Sequence, residues 1–249
     1  MVKRQFGIST KLYQSHRLSR DHLLAIAARG FEVVEVAVAA GHFEPSSDAA
    51  IADLQQWLAE ARLGLHAVAA PPPDGAQPWN AGELQPVEQA IYVARRLPYD
   101  VLVLPVGSPK SAAKAVERLA DIAAPLGVTI GIDSRSKSMV PIQTLVSFTE
   151  RCEARVGIAL DCATAGKGIG KAGIADAIEM ASEHLAAVRV PADSAVRGAA
   201  GYEMDWPSIM TTLQKVGYEG PFVVDLPPGA TLDGAIRTRE KMERWLTSI

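Results

Sequence analysis

Apolar residues recur with two different periods along the chain. Short runs rich in Val, Ile and Ala are each followed by a loop and then by a longer stretch whose apolar residues have helical spacing. The runs that predict strands are Gln5–Thr10, Glu32–Val38, Leu63–Ala69, Val101–Val106, Val128–Asp133, Val156–Asp161, Leu185–Val190 and Phe222–Leu226. The stretches that predict helices are Arg20–Arg29, Asp48–Arg62, Glu83–Arg96, Ser111–Ala124, Pro141–Cys152, Gly173–His184, Trp206–Val216 and Leu232–Leu246.

Repetition of one strand and one helix predicts an α/β fold, a (β/α)₈ TIM barrel. Parallel strands joined by helices cross over in a right-handed sense, and eight such units close into a barrel without a free edge. A doubly wound open sheet is the alternative. Since 249 residues is a normal length for one such barrel, we expect residues 1–249 to form a single domain. Its functional pocket should lie at the carboxyl ends of the strands.

Composition and charge narrow the class of partner. The net charge of −3 provides no basic field for phosphates, so we expect a small-molecule ligand and no nucleic acid. No apolar run approaches the roughly 20 residues that span a bilayer, so we expect no membrane partner. Cys152 and Cys162 are the only cysteines, and the first residues do not resemble a signal peptide. The expected location is the cytoplasm.

Charged residues converge where four successive predicted strands end. Side chains alternate along a strand, which places Asp133, Asp161, Arg189 and Asp225 on the inward face, above an interior of mainly small residues. A single Asp at such a position more often caps its strand or pairs with a neighbour. Four charged residues together at the face where barrel enzymes place their catalytic groups favour a functional site.

Several runs resemble the xylose isomerase-like barrels, the superfamily of sugar-phosphate isomerases and epimerases, inosose dehydratase and endonuclease IV. They are GFEVVEVAVAAGHF, LGLHAVAAP, IALDCATAG and GYEMDWPSIMTTLQKVGYEGPFVVDL. The resemblance covers nearly the whole chain and is strongest over Ile158–Leu226. It implies a divalent metal held by a Glu, an Asp, a His and a Glu at the ends of strands five to eight.

This chain departs from that ligand pattern at three positions. Asp133 and Asp225 stand where the family has Glu, and Arg189 stands where it has His, while Asp161 matches. The His that usually follows the strand-six Asp is Thr164. A guanidinium has no lone pair for a metal and repels a dication, so Arg189 is expected to replace the metal as the cation among the carboxylates. We therefore expect no cofactor and count the family's divalent metal (Mn, Zn, Co or Mg) as doubtful.

Three further residues are candidates for contact with a substrate. His66 falls where the family often presents a substrate-facing histidine, although a hydrogen-bonded core histidine fits equally well. Glu35 could reach the pocket floor, or form a buried salt bridge with a neighbouring strand. Lys167, with Lys171, precedes a predicted helix whose free N-terminal amides favour anions such as a phosphorylated sugar.

Two functional hypotheses follow. The first is an isomerase or epimerase-like enzyme acting on a sugar, a cyclitol or a related hydroxy-carbonyl compound, with Asp133 and Asp225 exchanging protons next to a carbonyl. Arg189 would stabilise the developing oxyanion, and Asp161 would orient Arg189. The second is a non-catalytic barrel that binds a metabolite or a protein partner. DNA repair is disfavoured by the charge and the missing histidines. The resemblance also suggests a homodimer formed through the outer helices.

Overall fold

Eight parallel strands close into a barrel in sequence order, from β1 next to β2 around to β8 next to β1. The structure is a computed structural model and describes residues 4–71, 81–106, 108–135, 140–152, 155–165, 172–192 and 205–247. The strands are β1 (Phe6–Ser9), β2 (Val33–Ala37), β3 (Gly64–Ala69), β4 (Val101–Pro105), β5 (Thr129–Asp133), β6 (Val156–Asp161), β7 (Leu185–Pro191) and β8 (Phe222–Asp225). Pairing of β8 with β1 excludes an open sheet.

Helices follow the strands and cover the outside of the barrel. They are α1 (Arg20–Ala27), α2 (Asp48–Ala61), α3 (Ala81–Tyr92), α4 (Pro109–Ala123), α5 (Ile142–Thr149), α6 (Cys162–Ala165), α7 (Ala172–Ala181), α8 (Trp206–Lys215) and α9 (Leu232–Thr247). Short 3-10 turns follow β1, α3, α4 and α7. Serine and aspartate side chains cap several helices; the Ser47 hydroxyl, for example, accepts from the Ala50 amide at 3.2 Å and satisfies one free amide at the start of α2.

The strands are buried on both faces, and the two faces differ in side-chain size. Large apolar residues such as Ile130 and Leu102 pack outward in the main core, which includes the helices. A separate small cluster fills the interior of the barrel: Ala67, Val101, Val103, Ala159 and Ala187. Small inner side chains let charged groups above them approach one another across the barrel.

The predicted fold class is confirmed, and every predicted strand end lies within one residue of the observed one. The helices differ more. The predicted helix over Pro141–Cys152 is confined to Ile142–Thr149, and the short helix α6 directly after β6 was not predicted. Among the described residues, no helix combines the length and the apolar character needed to cross a membrane.

Candidate functional site

Charged side chains from opposite sides of the barrel meet above its interior. Arg189 on β7 contacts Glu35 on β2, and Arg135 just beyond β5 contacts Asp225 on β8. Neither pair of strands is adjacent in the sheet, so these contacts cross the barrel. Only side chains that face the interior can meet across the barrel, so the side chains that make these contacts face inward.

Arg189 forms the lower layer of this cluster. Its Nε and Nη2 donate to Glu35 Oε2 at 2.8 and 2.5 Å, and its Nη1 donates to Asp133 Oδ2 at 2.8 Å. The Arg189 side chain is 1% exposed and that of Glu35 is 2% exposed. Burial alone would lower the pKa of Arg189, but the charges of Glu35 and Asp133 raise it, so the guanidinium stays charged. Glu35 is thus the buried salt-bridge partner that the sequence allowed, placed across the barrel instead of on a neighbouring strand.

Arg135 forms the upper layer, and the sequence analysis missed it. Its Nε lies 3.1 Å from both carboxylate oxygens of Asp133, and its Nη2 donates to Asp133 Oδ2 at 2.8 Å. Its Nη1 donates to Asp225 Oδ2, and its Nε lies 3.9 Å from Asp161 Oδ2. One guanidinium therefore lies among the three carboxylates that end β5, β6 and β8. Arg135, and not Arg189 alone, is the cation among them.

Asp161 does not take the position relative to Arg189 that the sequence suggested. Its Oδ1 accepts from the Thr164 amide at 2.8 Å and from the Thr164 hydroxyl at 3.1 Å, within the turn that starts α6. No hydrogen bond joins the Asp161 and Arg189 side chains, although the two residues are paired neighbours in the sheet. The expectation that Asp161 orients Arg189 is therefore corrected, and Asp161 instead faces Arg135.

Burial and charge act differently on the two central carboxyl groups. Burial alone would raise the pKa of Asp133, but the nearby charges of Arg189 and Arg135 lower that pKa to about 2. Burial raises the pKa of Asp161. The charge of Arg135 offsets this rise only in part, and the charge of Asp133 adds to it. Asp133 is therefore a fixed anion and a weak proton acceptor at neutral pH.

Asp225 and Lys11 lie at the top of the cluster. Lys11 belongs to the 3-10 turn after β1, and its Nζ lies 3.6 Å from Asp225 Oδ2, the oxygen that also accepts from Arg135. The other oxygen, Asp225 Oδ1, is buried and has no hydrogen-bond partner in the described part of the chain. Lys11 was also missed by the sequence analysis.

A cavity of about 330 Å³ opens beside these charges. Its charged side carries Lys11, Glu35, Asp133, Arg135 and Arg189, together with the polar residues Ser9 and Gln14. Its other side consists of small apolar residues from β2, β3 and β4 and from the segments just after them. The cavity lies where the strand ends meet, as predicted for the functional pocket.

The remaining sequence candidates lie elsewhere. His66 is an extra residue in a bulge of β3, because Leu65 pairs with Val34 while Ala67 pairs with Glu35. Its Nδ1 lies 2.9 Å from Asp100 Oδ2, just before the start of β4, so it is at the opposite end of the barrel from the cluster. His66 therefore does not line this cavity, whereas the sequence analysis considered it for contact with a substrate. Lys167 lies outside the described residues.

The chain belongs to the xylose isomerase-like TIM barrel family, since the sequence model of that family matches residues 23–249. Solved structures with a similar fold include D-psicose 3-epimerase in the presence of D-fructose, 16% identical, with a TM-score of 0.76 over 98% of this chain and 97% of that one. A D-tagatose 3-epimerase-like protein is 18% identical, with a TM-score of 0.78 over the same shares. The 3-keto-D-glucoside 4-epimerase of E. coli is 15% identical, with a TM-score of 0.74 over 98% and 100%. No curated protein matches this chain.

The residues at the family's metal positions do not fit a divalent cation. Oxygens of Asp133 and Asp225 that would be ligands already accept from Arg135, and Arg189 holds the fourth position with a group that cannot coordinate. Two guanidinium groups would also repel a dication placed among them. Among the described residues, no group of three His, Cys, Asp or Glu side chains is arranged to hold a metal ion.

Proposed function

We propose that this chain is a metal-independent, isomerase- or epimerase-like protein that binds a small sugar-like or polyol-like hydroxy-carbonyl compound in the cavity beside the charge cluster. The observation that carries the proposal is the Arg135 guanidinium, which lies among the three carboxylates at the ends of β5, β6 and β8. A tethered cation there supplies positive charge beside the cavity without a metal ion. The sugar epimerases of similar fold support the choice of ligand class.

Proton transfer next to a carbonyl needs a base and a stabiliser of the oxyanion that forms. Arg135, which lines the cavity, is the donor that would face such an oxyanion. Asp133 is poorly suited as the base, since its pKa of about 2 keeps it ionised and weakly basic. We assign the base role to Asp225, whose Oδ1 has no hydrogen-bond partner among the described residues, and to Asp133 the role of anchoring both guanidinium groups.

A non-catalytic barrel that binds a metabolite is the second candidate. It is favoured by the same ion pairs, because Asp133 and Glu35 are both held by charged donors. Carboxylates committed to structural ion pairs contribute little to proton transfer, whereas the cavity beside them can still bind a ligand.

The experiment that tests the proposal uses chelator-treated full-length protein in D₂O with D-fructose and other ketoses. NMR would follow exchange of the hydrogens next to the carbonyl, and melting curves would report binding. We expect binding and exchange, with exchange lost in Asp225→Asn and retained in the control Asp121→Asn on the outer helix α4. Binding without exchange would select the non-catalytic barrel, and the absence of both would contradict the proposal.

The role of Arg135 can be tested separately with manganese. We expect no stoichiometric Mn²⁺ in the wild-type protein, whereas Arg135→Ala should gain Mn²⁺ affinity, because it leaves Asp133, Asp161 and Asp225 without that cation. Titration calorimetry and melting with and without chelator would measure this. Arg155→Ala is the control, since Arg155 is exposed and its hydrogen bond within the described ranges goes to the Gly127 carbonyl, away from the cluster. Stoichiometric Mn²⁺ in the wild-type protein, with melting that a chelator lowers, would contradict the fit argument.

A further inference from the structure

Two of the three cations in the cluster are more exposed than its carboxylates. The cationic side chains of Lys11 and Arg135 are 35% and 23% exposed. The carboxylate side chains are less exposed: 10% for Asp225, 6% for Asp133 and Asp161, and 2% for Glu35. A molecule entering the cavity therefore meets cations first.

The two outer cations keep hydrogen-bond donors that the cluster does not use. An ammonium has three donors, and Lys11 has one contact with a carboxylate, at 3.6 Å. A guanidinium has five N–H donors. Among the described residues, the Nη1 and Nη2 atoms of Arg135 each donate once, to Asp225 and to Asp133, and one N–H on each of these nitrogens has no partner there.

The apolar part of the cavity lining constrains the rest of the ligand. It carries Ala37, Ala69, Val103 and Pro105, whose side chains can neither donate nor accept a hydrogen bond. A sugar with hydroxyl groups on every side would leave some of them without a side-chain hydrogen-bond partner there, which disfavours its binding. A compact ligand with one strongly polar end fits this division better than a neutral sugar.

We propose that the cavity recognises an anionic group, a carboxylate or a phosphate, on its hydroxy-carbonyl ligand, and that Lys11 and Arg135 bind this group. The inference rests on the proposed function and specifies its class of ligand. Asp225 does not oppose such an anion strongly, because its Oδ2 already accepts from Arg135 and faces Lys11. The guanidinium of Arg135 and the ammonium of Lys11 can both form charge-assisted hydrogen bonds with a carboxylate or a phosphate.

The test compares three probes on the wild-type protein by titration calorimetry: D-fructose, D-fructose 6-phosphate and 5-keto-D-gluconate. We expect at least one anionic probe to bind ten times more tightly than D-fructose, with an affinity that falls as KCl is raised. The tighter of the two anionic probes identifies phosphate or carboxylate as the preferred group. D-fructose binding as tightly as both anions would overturn this inference and leave the proposed function standing. Binding by none of the three would contradict both.

Lys11→Gln provides an independent test, with Lys215→Gln on the exposed end of α8 as the matched control. Lys11 is partly exposed in a short turn, so the variant should fold, which its melting curve would show. We expect at least a tenfold loss of affinity for the anionic probe, no loss for D-fructose, and recovery in Lys11→Arg. Unchanged affinity of Lys11→Gln for the anionic probe would overturn the assignment.

Discussion

Asp133 is the residue on which both layers of the cluster depend. It accepts from Arg189 below and from Arg135 above, and it also accepts from the Arg135 amide at 2.8 Å. A carboxylate with this many charged donors can be buried without losing its charge. Arg189 is itself buried, and its two acidic partners, Glu35 and Asp133, are almost fully buried as well, so water is not at hand to replace either partner. Removing one member of such a buried set leaves the others uncompensated.

Arg189→Ala should therefore lower the free energy of unfolding by about 3–5 kcal/mol, the usual cost of breaking a buried ion pair from one side. Glu35 would lose its buried cationic partner, and Asp133 would keep only Arg135 of its two guanidinium partners in the described part of the chain. Urea unfolding followed by tryptophan fluorescence would measure the change. Adding Glu35→Gln to the variant should recover part of the loss, because the two residues are coupled.

Lys215→Ala is the control for an ion pair outside the barrel. Lys215 and Glu179 are 70% and 48% exposed, and solvent screening leaves such pairs with little effect on stability. An unfolding midpoint for Arg189→Ala that matches this control would show that the Arg189 charge is not buried in solution.

Glycines in β5 and β6 hold the strands close enough for the cluster to form. A Cβ on Gly131 would lie 2.8 Å from Cγ1 of Val101 and 3.3 Å from the Ala159 side chain. A Cβ on Gly157 would lie 2.8 Å from the carbonyl oxygen of His184, which is backbone and cannot rotate away. Gly131 lies one inward position below Asp133 on β5, and Gly157 lies two inward positions below Asp161 on β6, so both contribute to how closely the strands that carry these carboxylates approach their neighbours.

Gly157→Ala should consequently be more destabilising than Gly131→Ala, since only the first meets a backbone atom at this distance. We expect a loss of about 1–3 kcal/mol for Gly157→Ala, typical of overpacking in a core, and a smaller loss for Gly131→Ala. Both variants would be compared by urea unfolding. Equal losses, or a larger loss for Gly131→Ala, would show that β7 shifts to accommodate the methyl group.

The sequence predicted the barrel and most of its buried cluster because strand alternation extends over whole elements. Arg135 and Lys11 were missed because each lies two residues beyond the last inward residue of its strand, Asp133 or Ser9. Continuing the same alternation by one step would have found both. His66 could not be placed in this way, since a bulge in β3 breaks the alternation at that residue. Contacts across the barrel, such as Arg189 with Glu35, depend on the closed shape and leave no periodic signal.

Opposite pKa shifts of two neighbouring carboxyl groups give the molecule a characteristic response to acid. The pKa of Asp133 is lowered from 3.8 to about 2, so its ionised form stabilises the folded state above pH 3.8. This contribution is lost as the pH falls through 3.8 towards about 2. The pKa of Asp161 is raised, so its protonated form is favoured in the folded state, and stability should increase as the pH falls through that pKa.

Comparison of wild type with Asp133→Asn and Asp161→Asn across pH 7 to 2 should separate these contributions. The stability advantage of the wild type over Asp133→Asn should be constant near neutral pH and should shrink by about 2 kcal/mol below pH 3.8. Relative to Asp161→Asn, the wild type should instead gain stability as the pH falls from neutral. Urea unfolding at each pH gives both difference curves. Difference curves with the same sign would show that Arg135 and Arg189 do not stabilise the charge of Asp133 more than that of Asp161 in solution. This uneven pairing is what gives the two pKa values opposite shifts.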